Sequence, residues 1–435
     1  MPHYKKVLSL VLLCSPTLTF AALVNFQNPT PSALTPFNGN ARTVADLAGN
    51  HIFLYSHPRQ NIEFQTKKEL RRYSNVQFTT GAFVVNATPQ QLQSTLHDYQ
   101  KYVGLFPALK TAKILEKDHN SQQVKYRISI PTPIKVLNFN EDVIVQHEAE
   151  NNSMSSLIID SPMPYGISKI EWFPLNAQQS LVTITQWTDT DQVNGFLLST
   201  ILKAMPEATV AMPYGINTFV MESLRLKFNN KTTAPILAAG QLPEKSLNPQ
   251  QYQSIIQLSQ KTKQPISFVH LPTQIPYKHG NETLRFTTSY QFFNTDAKNA
   301  EQLLDLKIYQ KLFPKYVRKI EILPNQDLSN DAVFFVRAGL GVITIPFTLR
   351  LRFFPEQQQT VDMAAVGGDV KFVRNKMQIL PYQQHSVWKM TTAAKIDASA
   401  PFLLRSMRSL PYHDVLPTSA ISRVISDKAF KELKF

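Results

Sequence analysis

Hydrophobic and polar positions along this chain change from a strand pattern to a helical pattern and back again. Residues 76–85 read as a strand, and Leu92, Leu96 and Tyr99 then recur at helical spacing. From about residue 113 the period is two, and residues 124–130 place apolar side chains on one face and polar ones on the other. That alternation is typical of an antiparallel sheet with one solvated face. Six such strands are predicted, at residues 113–116, 124–130, 138–147, 155–160, 167–173 and 181–188.

A long helix is predicted to end this pattern, over residues 194–228 with interruptions near Pro206 and Pro213. The whole order then returns about 207 residues later, with a strand at 283–293, two short helices, further strands to about residue 392 and a final helix from residue 400. Short peptides recur in the same order: Phe78-Thr79-Thr80 as Phe286-Thr287-Thr288, Leu105-Phe106-Pro107 as Leu312-Phe313-Pro314, Phe196-Leu197-Leu198 as Phe402-Leu403-Leu404, and Leu226-Lys227-Phe228 as Leu433-Lys434-Phe435. Each repeat has the size of a domain and is too long for a solenoid repeat. We call residues 74–228 unit 1 and residues 281–435 unit 2.

The first 21 residues have the layout of a secretory signal peptide. Lys5 and Lys6 precede an apolar run over residues 7–13, and small residues stand before Ala22. This pattern predicts an exported protein, periplasmic or secreted. Cys14, the only cysteine, lies inside the segment, so the chain after cleavage has no thiol for a disulfide.

Two segments lie outside both the signal peptide and the repeats. Residues 22–73 are predicted to be an N-terminal extension, with a charged helical turn at 67–72. Residues 229–280 are rich in Gln, Pro, Thr and Lys and are predicted to be a linker that contains one helix. Asn248 is suited to cap that helix and Pro249 to occupy its first turn.

The charge of the chain is unevenly distributed. The formal net charge is +14, but unit 1 has 11 basic and 13 acidic residues, a net of −2, whereas unit 2 has 21 and 14, a net of +7. Because an exported protein does not normally meet nucleic acid, we expect no nucleic-acid partner. A basic face would instead favour peripheral contact with an anionic membrane, and a surface that is simply basic and soluble is the alternative.

The element order resembles that of the START-like superfamily, also called the helix-grip fold or the polyketide cyclase and coenzyme-Q-binding group. The segment Tyr-Val-Gly-Leu-Phe-Pro at residues 102–107, followed by a strand at 113–116, is similar to a passage of that family. Residues 309–314, followed by 320–323, match it again. The resemblance implies an α+β fold with two tandem helix-grip domains. In each, a curved antiparallel sheet surrounds a long C-terminal helix, and two short helices follow the first strand.

Members of this superfamily enclose a mostly apolar cavity and bind lipids, sterols, quinones or polyketides, and only some carry out chemistry. The resemblance therefore implies a hydrophobic small molecule or lipid as the partner. A plain amphipathic helix over a filled core is the alternative. The candidate ligand-binding residues are Tyr102, Phe106, Tyr165, Trp172, Phe196, Ile201, Met205, Tyr309, Phe313, Trp388, Phe402 and Met407.

The sequence shows no recognisable catalytic motif. It has no glycine-rich phosphate loop, no Gly-x-Ser-x-Gly peptide and no His-Glu-x-x-His pair, and His147 has no second histidine four residues later. We therefore predict no catalytic residue, metal site or cofactor, and expect an exported binding or transfer protein for a lipid, quinone or isoprenoid. A cyclase- or hydrolase-type enzyme for a hydrophobic substrate, or an interaction scaffold with filled cores, is the alternative. The ligand and the oligomeric state stay open.

Overall fold

The computed structural model of the chain describes residues 23–130, 139–194, 196–229, 234–277, 280–340, 343–354 and 359–435. The predicted signal peptide lies outside these ranges. Within them a 16-stranded antiparallel sheet runs through the whole molecule, and helices cover both of its faces. The predicted α+β class and its two successive helix-grip arrangements are confirmed.

The first half of the chain contains α1 to α5 and β1 to β10. It begins with α1 (Ala41–Ala48), β1 (Ile52–Ser56) and a hairpin of β2 (Gln60–Gln65) and β3 (Leu70–Val76), whose second strand runs into unit 1. Unit 1 comprises β4 (Thr79–Val85), α2 (Pro89–Leu96), a 3-10 turn (Tyr99–Lys101), α3 (Tyr102–Leu105), β5 (Leu109–Lys117), β6 (Ser121–Ile130), β7 (Phe139–Glu150), β8 (Ser153–Asp160), β9 (Gly166–Pro174), β10 (Ser180–Thr188), α4 (Phe196–Ala204) and α5 (Glu207–Phe228).

The second half repeats this order. It begins with α6 (Pro249–Thr262), β11 (Ile266–Val269) and a hairpin of β12 (Thr273–Tyr277) and β13 (Gly280–Leu284), whose second strand runs into unit 2. Unit 2 comprises β14 (Thr287–Phe293), α7 (Ala297–Ala300), a 3-10 turn (Glu301–Leu304), α8 (Ile308–Leu312), β15 (Val317–Pro324), β16 (Asn330–Leu340), β17 (Ile343–Phe353), β18 (Thr360–Gly368), β19 (Phe372–Tyr382), β20 (His385–Lys395), α9 (Phe402–Arg405), a 3-10 turn (Ser406–Ser409), α10 (Leu416–Lys428) and a π-helical turn (Ala429–Leu433).

The repeated pattern begins before residues 74 and 281. A helix, a strand and a hairpin precede β4 and again β14, so segments predicted as an extension and a linker also correspond to each other. The helix predicted after Asn248 is present, and the Asn248 side chain accepts a hydrogen bond from Gln251 N at 2.9 Å. The helical turn predicted at residues 67–72 is wrong, because these residues lie in the hairpin. Of the two predicted interruptions of the closing helix, Pro206 separates α4 from α5, whereas Pro213 lies inside α5.

The two halves join at the centre of the sheet. The strand order is β15-β16-β17-β18-β19-β20-β14-β11-β1-β4-β10-β9-β8-β7-β6-β5, so β1 and β11 are the central pair. Phe53 and Phe268 lie opposite each other there, with stacked rings 5.1 Å apart. On one face α1 and α6 pack over this centre, and on the other face α5 packs against α10.

The repeated Phe-Thr-Thr peptide has a structural role in this junction. Its second threonine joins a buried chain of side-chain hydrogen bonds across three strands. The two chains are His57–Thr80–Thr185 and His270–Thr288–Thr391, with 2.7 to 2.9 Å between successive side chains. Burial lowers the pKa of His57 to about 4 and lowers that of His270 well below its ordinary value, so both imidazoles are neutral.

Candidate functional site

Each unit has its own hydrophobic interior on the inner face of the sheet. In unit 1 the interior lies between strands β4–β10 and the helices α2, α3 and α5. In unit 2 it lies between the corresponding strands and α7, α8 and α10. The two interiors occupy equivalent places in their units, so their side chains can be compared position by position.

Four buried polar side chains come together in the interior of unit 1. Tyr126, His147 and Ser156 lie on the adjacent strands β6, β7 and β8, and Tyr99 lies in the turn before α3. His147 Nε2 is 2.9 Å from the Tyr126 hydroxyl, and His147 Nδ1 is 2.8 Å from Ser156 Oγ. The Tyr99 ring stacks on the imidazole with the ring centroids 4.3 Å apart. We call these four residues the Tyr–His–Ser cluster.

Burial sets the protonation states in this cluster. His147 is only 5% exposed, and burial lowers its pKa to about 3, so the imidazole is neutral and one ring nitrogen donates while the other accepts. Burial also raises the pKa of both Tyr99 and Tyr126, which keeps their hydroxyls protonated. Within the described residues the Tyr99 hydroxyl has no hydrogen-bond partner although the residue is only 3% exposed. A buried donor without a partner is unfavourable by about 1–3 kcal/mol.

Unit 2 has apolar side chains at the same four positions. The strand register places Gln122, His147 and Ser156 in one row across β6–β8, and Asn330, Phe353 and Met363 in the matching row across β16–β18. Tyr126 lies four residues after Gln122, and Phe334 lies four residues after Asn330, so these two positions match. Tyr99 and Leu306 match because each lies three residues before the tyrosine of the Tyr-x-x-x-Phe-Pro passage. Tyr99, Tyr126, His147 and Ser156 therefore correspond to Leu306, Phe334, Phe353 and Met363, all of which lie in the hydrophobic core of unit 2.

Three of the predicted ligand-binding residues lie in the interior of unit 1. Tyr102 donates a hydrogen bond to Leu96 O at 2.7 Å, and its hydroxyl is 3.3 Å from Met154 Sδ. Phe106 packs edge-on against Tyr102 at 5.1 Å between ring centroids. Trp172 is completely buried, and its indole N–H has no partner in the described part of the chain.

Four more of the predicted residues pack in the interior of unit 2. Tyr309 repeats the contacts of its counterpart, because its hydroxyl is 3.1 Å from both Leu303 O and Met377 Sδ. Phe313 and Met407 are partly buried against the same core, and Trp388 is completely buried in it. The structure thus divides the predicted residues into two separate sets, one in each unit.

The remaining predicted residues do not meet in either interior as far as the structure describes them. Tyr165 lies on the outer face of unit 1, where Arg71 Nη2 donates to its hydroxyl at 2.8 Å. Phe402 is 62% exposed. Met205 is half-buried in the turn between α4 and α5. Phe196 and Ile201 lie in α4, and their side chains are outside the described part of the structure.

The predicted set omits all four residues of the Tyr–His–Ser cluster. His147 belongs to no recognisable motif because no second histidine follows four residues later, and Ser156 lies in no nucleophile motif. The sequence signal for this cluster is a difference between the two repeats. When the units are aligned on their strands, these positions are polar in one unit and apolar in the other, so they form no motif that the two units share.

Within the described residues no group of three or more His, Cys, Asp or Glu side chains is placed to hold a metal ion. No described helix is both long enough and apolar enough to span a bilayer.

Sequence comparison identifies no protein-family model and no curated protein that matches the chain. Solved structures match it with low identity. The di-domain aromatase/cyclase StfQ of the steffimycin biosynthetic pathway is 9% identical, and the match covers 82% of this chain and 98% of that chain with a TM-score of 0.25. The Zhui aromatase/cyclase from Streptomyces sp. R1128 is 17% identical over 36% of this chain and 98% of that chain, with a TM-score of 0.28.

A STAR-related lipid transfer protein from Xanthomonas axonopodis is 14% identical, over 38% of this chain and 94% of that chain, with a TM-score of 0.26. Because these TM-scores are below 0.5, the fold assignment rests on the strand order and pairing described above. On that basis both units have the START-like, helix-grip arrangement.

Proposed function

We propose that this chain is a binding or transfer protein that holds a hydrophobic molecule with one polar group inside unit 1. The observation that carries this proposal is the contrast between the Tyr–His–Ser cluster and its apolar counterparts in unit 2. Polar groups in an apolar interior lower stability unless they are satisfied, and a core without them is available in the other copy of the same fold. Their presence in unit 1 is therefore better explained by a ligand than by packing.

The chemistry of the cluster indicates what kind of ligand fits. The unpartnered Tyr99 hydroxyl is a donor, so the ligand would supply an acceptor such as a carbonyl, ether or hydroxyl oxygen. Tyr102, Phe106 and Trp172 supply apolar and aromatic surface around it. A quinone, an isoprenoid or another lipid with a single oxygenated end meets both requirements.

Unit 2 is assigned a different role in this proposal. Its interior is filled by large apolar side chains, and its net charge of +7 suits contact with an anionic surface. Phe402 is exposed beside the exposed Arg405 and Arg408, a combination suited to shallow insertion among acidic head groups. We propose that this end of unit 2 contacts an anionic membrane of the cell envelope, after export directed by residues 1–21.

Native mass spectrometry with organic extraction tests the binding function. Purified protein is stripped of bound molecules, mixed with vesicles of labelled total lipid extract and reisolated. The wild type is expected to recover one lipid-class molecule, and Tyr99→Phe to bind it at least tenfold more weakly. Tyr309→Phe, which removes a tyrosine hydroxyl from the interior of unit 2, is the control and is expected to bind normally. A wild type that recovers nothing, or equal loss in both variants, would contradict the proposal.

A hydrolase is the second candidate, and one observation favours it. Ser156 Oγ, His147 and Tyr126 form a continuous chain at 2.8 and 2.9 Å, which is the geometry of a nucleophile, a base and an orienting group. In an acyl transfer Ser156 Oγ would bond to an ester carbonyl carbon, its proton would pass to His147 Nδ1, and the released alkoxide would take up that proton. Water would then hydrolyse the acyl-serine.

The two candidates differ in the fate of the ligand. Incubation with a p-nitrophenyl ester of a fatty acid should leave the ester intact if unit 1 only binds. Release of p-nitrophenol by the wild type, but not by Ser156→Ala, would establish the hydrolase instead.

A further inference from the structure

Two buried arginines, one in each half of the molecule, each donate a hydrogen bond to the other half. Arg225, on α5 of unit 1, donates from Nη1 to His270 O at 3.3 Å, just beyond the end of β11. Arg423, on α10 of unit 2, donates from Nη1 to Ser56 Oγ at 3.0 Å, at the end of β1. Each long helix thus extends an arginine to the end of the first strand of the other half.

The positive charge of Arg225 is neutralised within the protein. Glu222, one turn earlier and completely buried, lies 2.5 Å from Arg225 Nη2 and 3.1 Å from Arg285 Nη1. Arg285 also forms a two-point ion pair with Asp414, at 2.5 and 2.9 Å. Two carboxylates therefore balance two guanidinium groups, as burial of charge requires.

Arg423 has no comparable ion pair in the described part of the structure. The residue three positions earlier is Ala420, where α5 has Glu222. Arg423 is only 7% exposed, its Nε has no hydrogen-bond partner, and no ion pair joins it to a carboxylate within the described ranges. Its guanidinium carbon lies 5.1 Å from the centre of the Tyr214 ring. Asp427, one turn later, is paired instead with Lys431 at 2.8 Å.

The surroundings of Arg423 increase the need for a negative charge. Burial lowers the pKa of Arg423 and the charge of Arg59 lowers it further, whereas Tyr214 and the more distant carboxylate of Asp427 raise it. A guanidinium is not deprotonated in proteins, so it stays charged when buried. An uncompensated buried charge is strongly unfavourable, and a bound anion that reaches the free Nε–H would relieve that cost.

We propose that Arg423 and Ser56 form a binding site for an oxyanion, either a phosphate or a carboxylate, at the junction of α10 with β1. Two oxygens of a carboxylate or a phosphate match the donor geometry of a guanidinium edge, and the Ser56 hydroxyl supplies a further donor. This site goes beyond the proposed function, because it uses no residue of the Tyr–His–Ser cluster and does not require a lipid in unit 1. The anion comes either free from solution or as the head group of an amphiphile.

The full-length protein is titrated with two probes, inorganic phosphate and sodium laurate below its micelle concentration, at constant ionic strength. Binding is followed by isothermal titration calorimetry and by the Arg423 Nε–Hε NMR signal. That signal is assigned by its absence from Arg423→Lys. We expect at least one probe to bind and to shift this signal. Binding by phosphate alone identifies a free anion as the ligand, and binding by laurate alone identifies a lipid carboxylate.

Arg423→Met keeps most of the side-chain length and is expected to weaken binding at least tenfold. Lys431→Met removes the same charge from an exposed position after α10 and is the matched control, with affinity expected to change less than twofold. If Arg423→Met does not fold, the Nε–Hε shift of the wild type decides. The inference is overturned if neither probe moves that signal, or if both variants bind as the wild type does.

Discussion

Units 1 and 2 place the same strands and helices around their interiors and fill them with different chemistry. At four matched positions unit 1 has Tyr99, Tyr126, His147 and Ser156, whereas unit 2 has Leu306, Phe334, Phe353 and Met363. The backbone register is the same in both units. The comparison shows that the fold does not need polar groups at these positions, which is why we attribute them to a ligand.

Other core positions differ between the units in a compensated way. In unit 1 Trp172 lies opposite Val182, and in unit 2 Ile379 lies opposite Trp388, so the indole has moved to the neighbouring strand. Met154 opposite Ile170 and Val361 opposite Met377 show the same exchange. The volume of the cross-strand pair is thus kept while its individual members are not.

The outer faces also differ. In unit 1 the N-terminal segment covers the outer face of the sheet, with Val24 and Phe26 buried there and Val24 N bonded to the Gln146 side chain at 2.8 Å. In unit 2 a pocket of about 550 Å³ lies on the outer face, between Tyr277, Phe372 and Val366. The copies have therefore diverged on both faces of the sheet.

The largest expected effect comes from undoing one exchange of aromatic residues. Trp172→Ile leaves a cavity in the core of unit 1 and should reduce the free energy of unfolding by about 3 kcal/mol. Val182→Trp overpacks the same layer and should cost about 2 kcal/mol. The double variant reproduces the pair of unit 2, so urea unfolding should show most of the stability restored. Additive losses would contradict the view that pair volume is what the two units share.

Introducing a polar residue into unit 2 should have the next largest effect. Phe353→His places an imidazole in the hydrophobic core of unit 2, where Phe334 and Met363 stand in place of the partners of His147, and should cost about 2–3 kcal/mol of unfolding free energy. Phe353→Leu is the control for lost volume and should cost about 1 kcal/mol. Equal losses in urea unfolding would mean that the interior of unit 2 tolerates polarity as readily as unit 1 does.

The response to pH should distinguish the units. Because burial lowers the pKa of His147 from 6.5 to about 3, its contribution to stability is complete above pH 6.5 and is lost as the pH falls below that value. Between pH 6.5 and about pH 5 this loss should amount to about 2 kcal/mol for His147 alone. Thermal stability should therefore decline less steeply with falling pH in His147→Phe than in the wild type. The contributions of His57 and His270 should be the same in both proteins. Parallel pH profiles would contradict the buried, neutral state of His147.

The smallest effect should be the same in both units. Tyr102 and Tyr309 each donate a hydrogen bond to the carbonyl six residues earlier and contact a methionine sulfur. Replacing either by Phe should cost about 1 kcal/mol in urea unfolding. A large difference between the two variants would show that the units differ in their helical caps as well as in the Tyr–His–Ser cluster.

The sequence was sufficient to predict the element order, the duplication and the α+β class, because period-two strands and turn residues are local signals. It did not predict that β1 and β11 pair to make one continuous sheet, since that contact joins residues more than 200 positions apart. The hairpin at β2–β3 was missed because charged residues 67–72 resemble a helix surface in isolation.

The candidate site was predicted only in part. Tyr102, Phe106 and Trp172 follow from element position, and they lie in the interior of unit 1. The cluster beside them depends on which face each strand residue takes and on strand register. Neither His147 nor Ser156 stands out until those are known.

The central claim is that unit 1 binds its ligand through the polar groups that unit 2 lacks. The most direct test gives unit 1 the interior of unit 2, in the variant Tyr99→Leu, Tyr126→Phe, His147→Phe and Ser156→Met. Native mass spectrometry of this variant and of the wild type, after exposure to the same labelled lipid extract, compares bound ligand. We predict a stable variant with no bound lipid beside a wild type that has one. A folded variant that still binds the lipid as the wild type does would contradict the account.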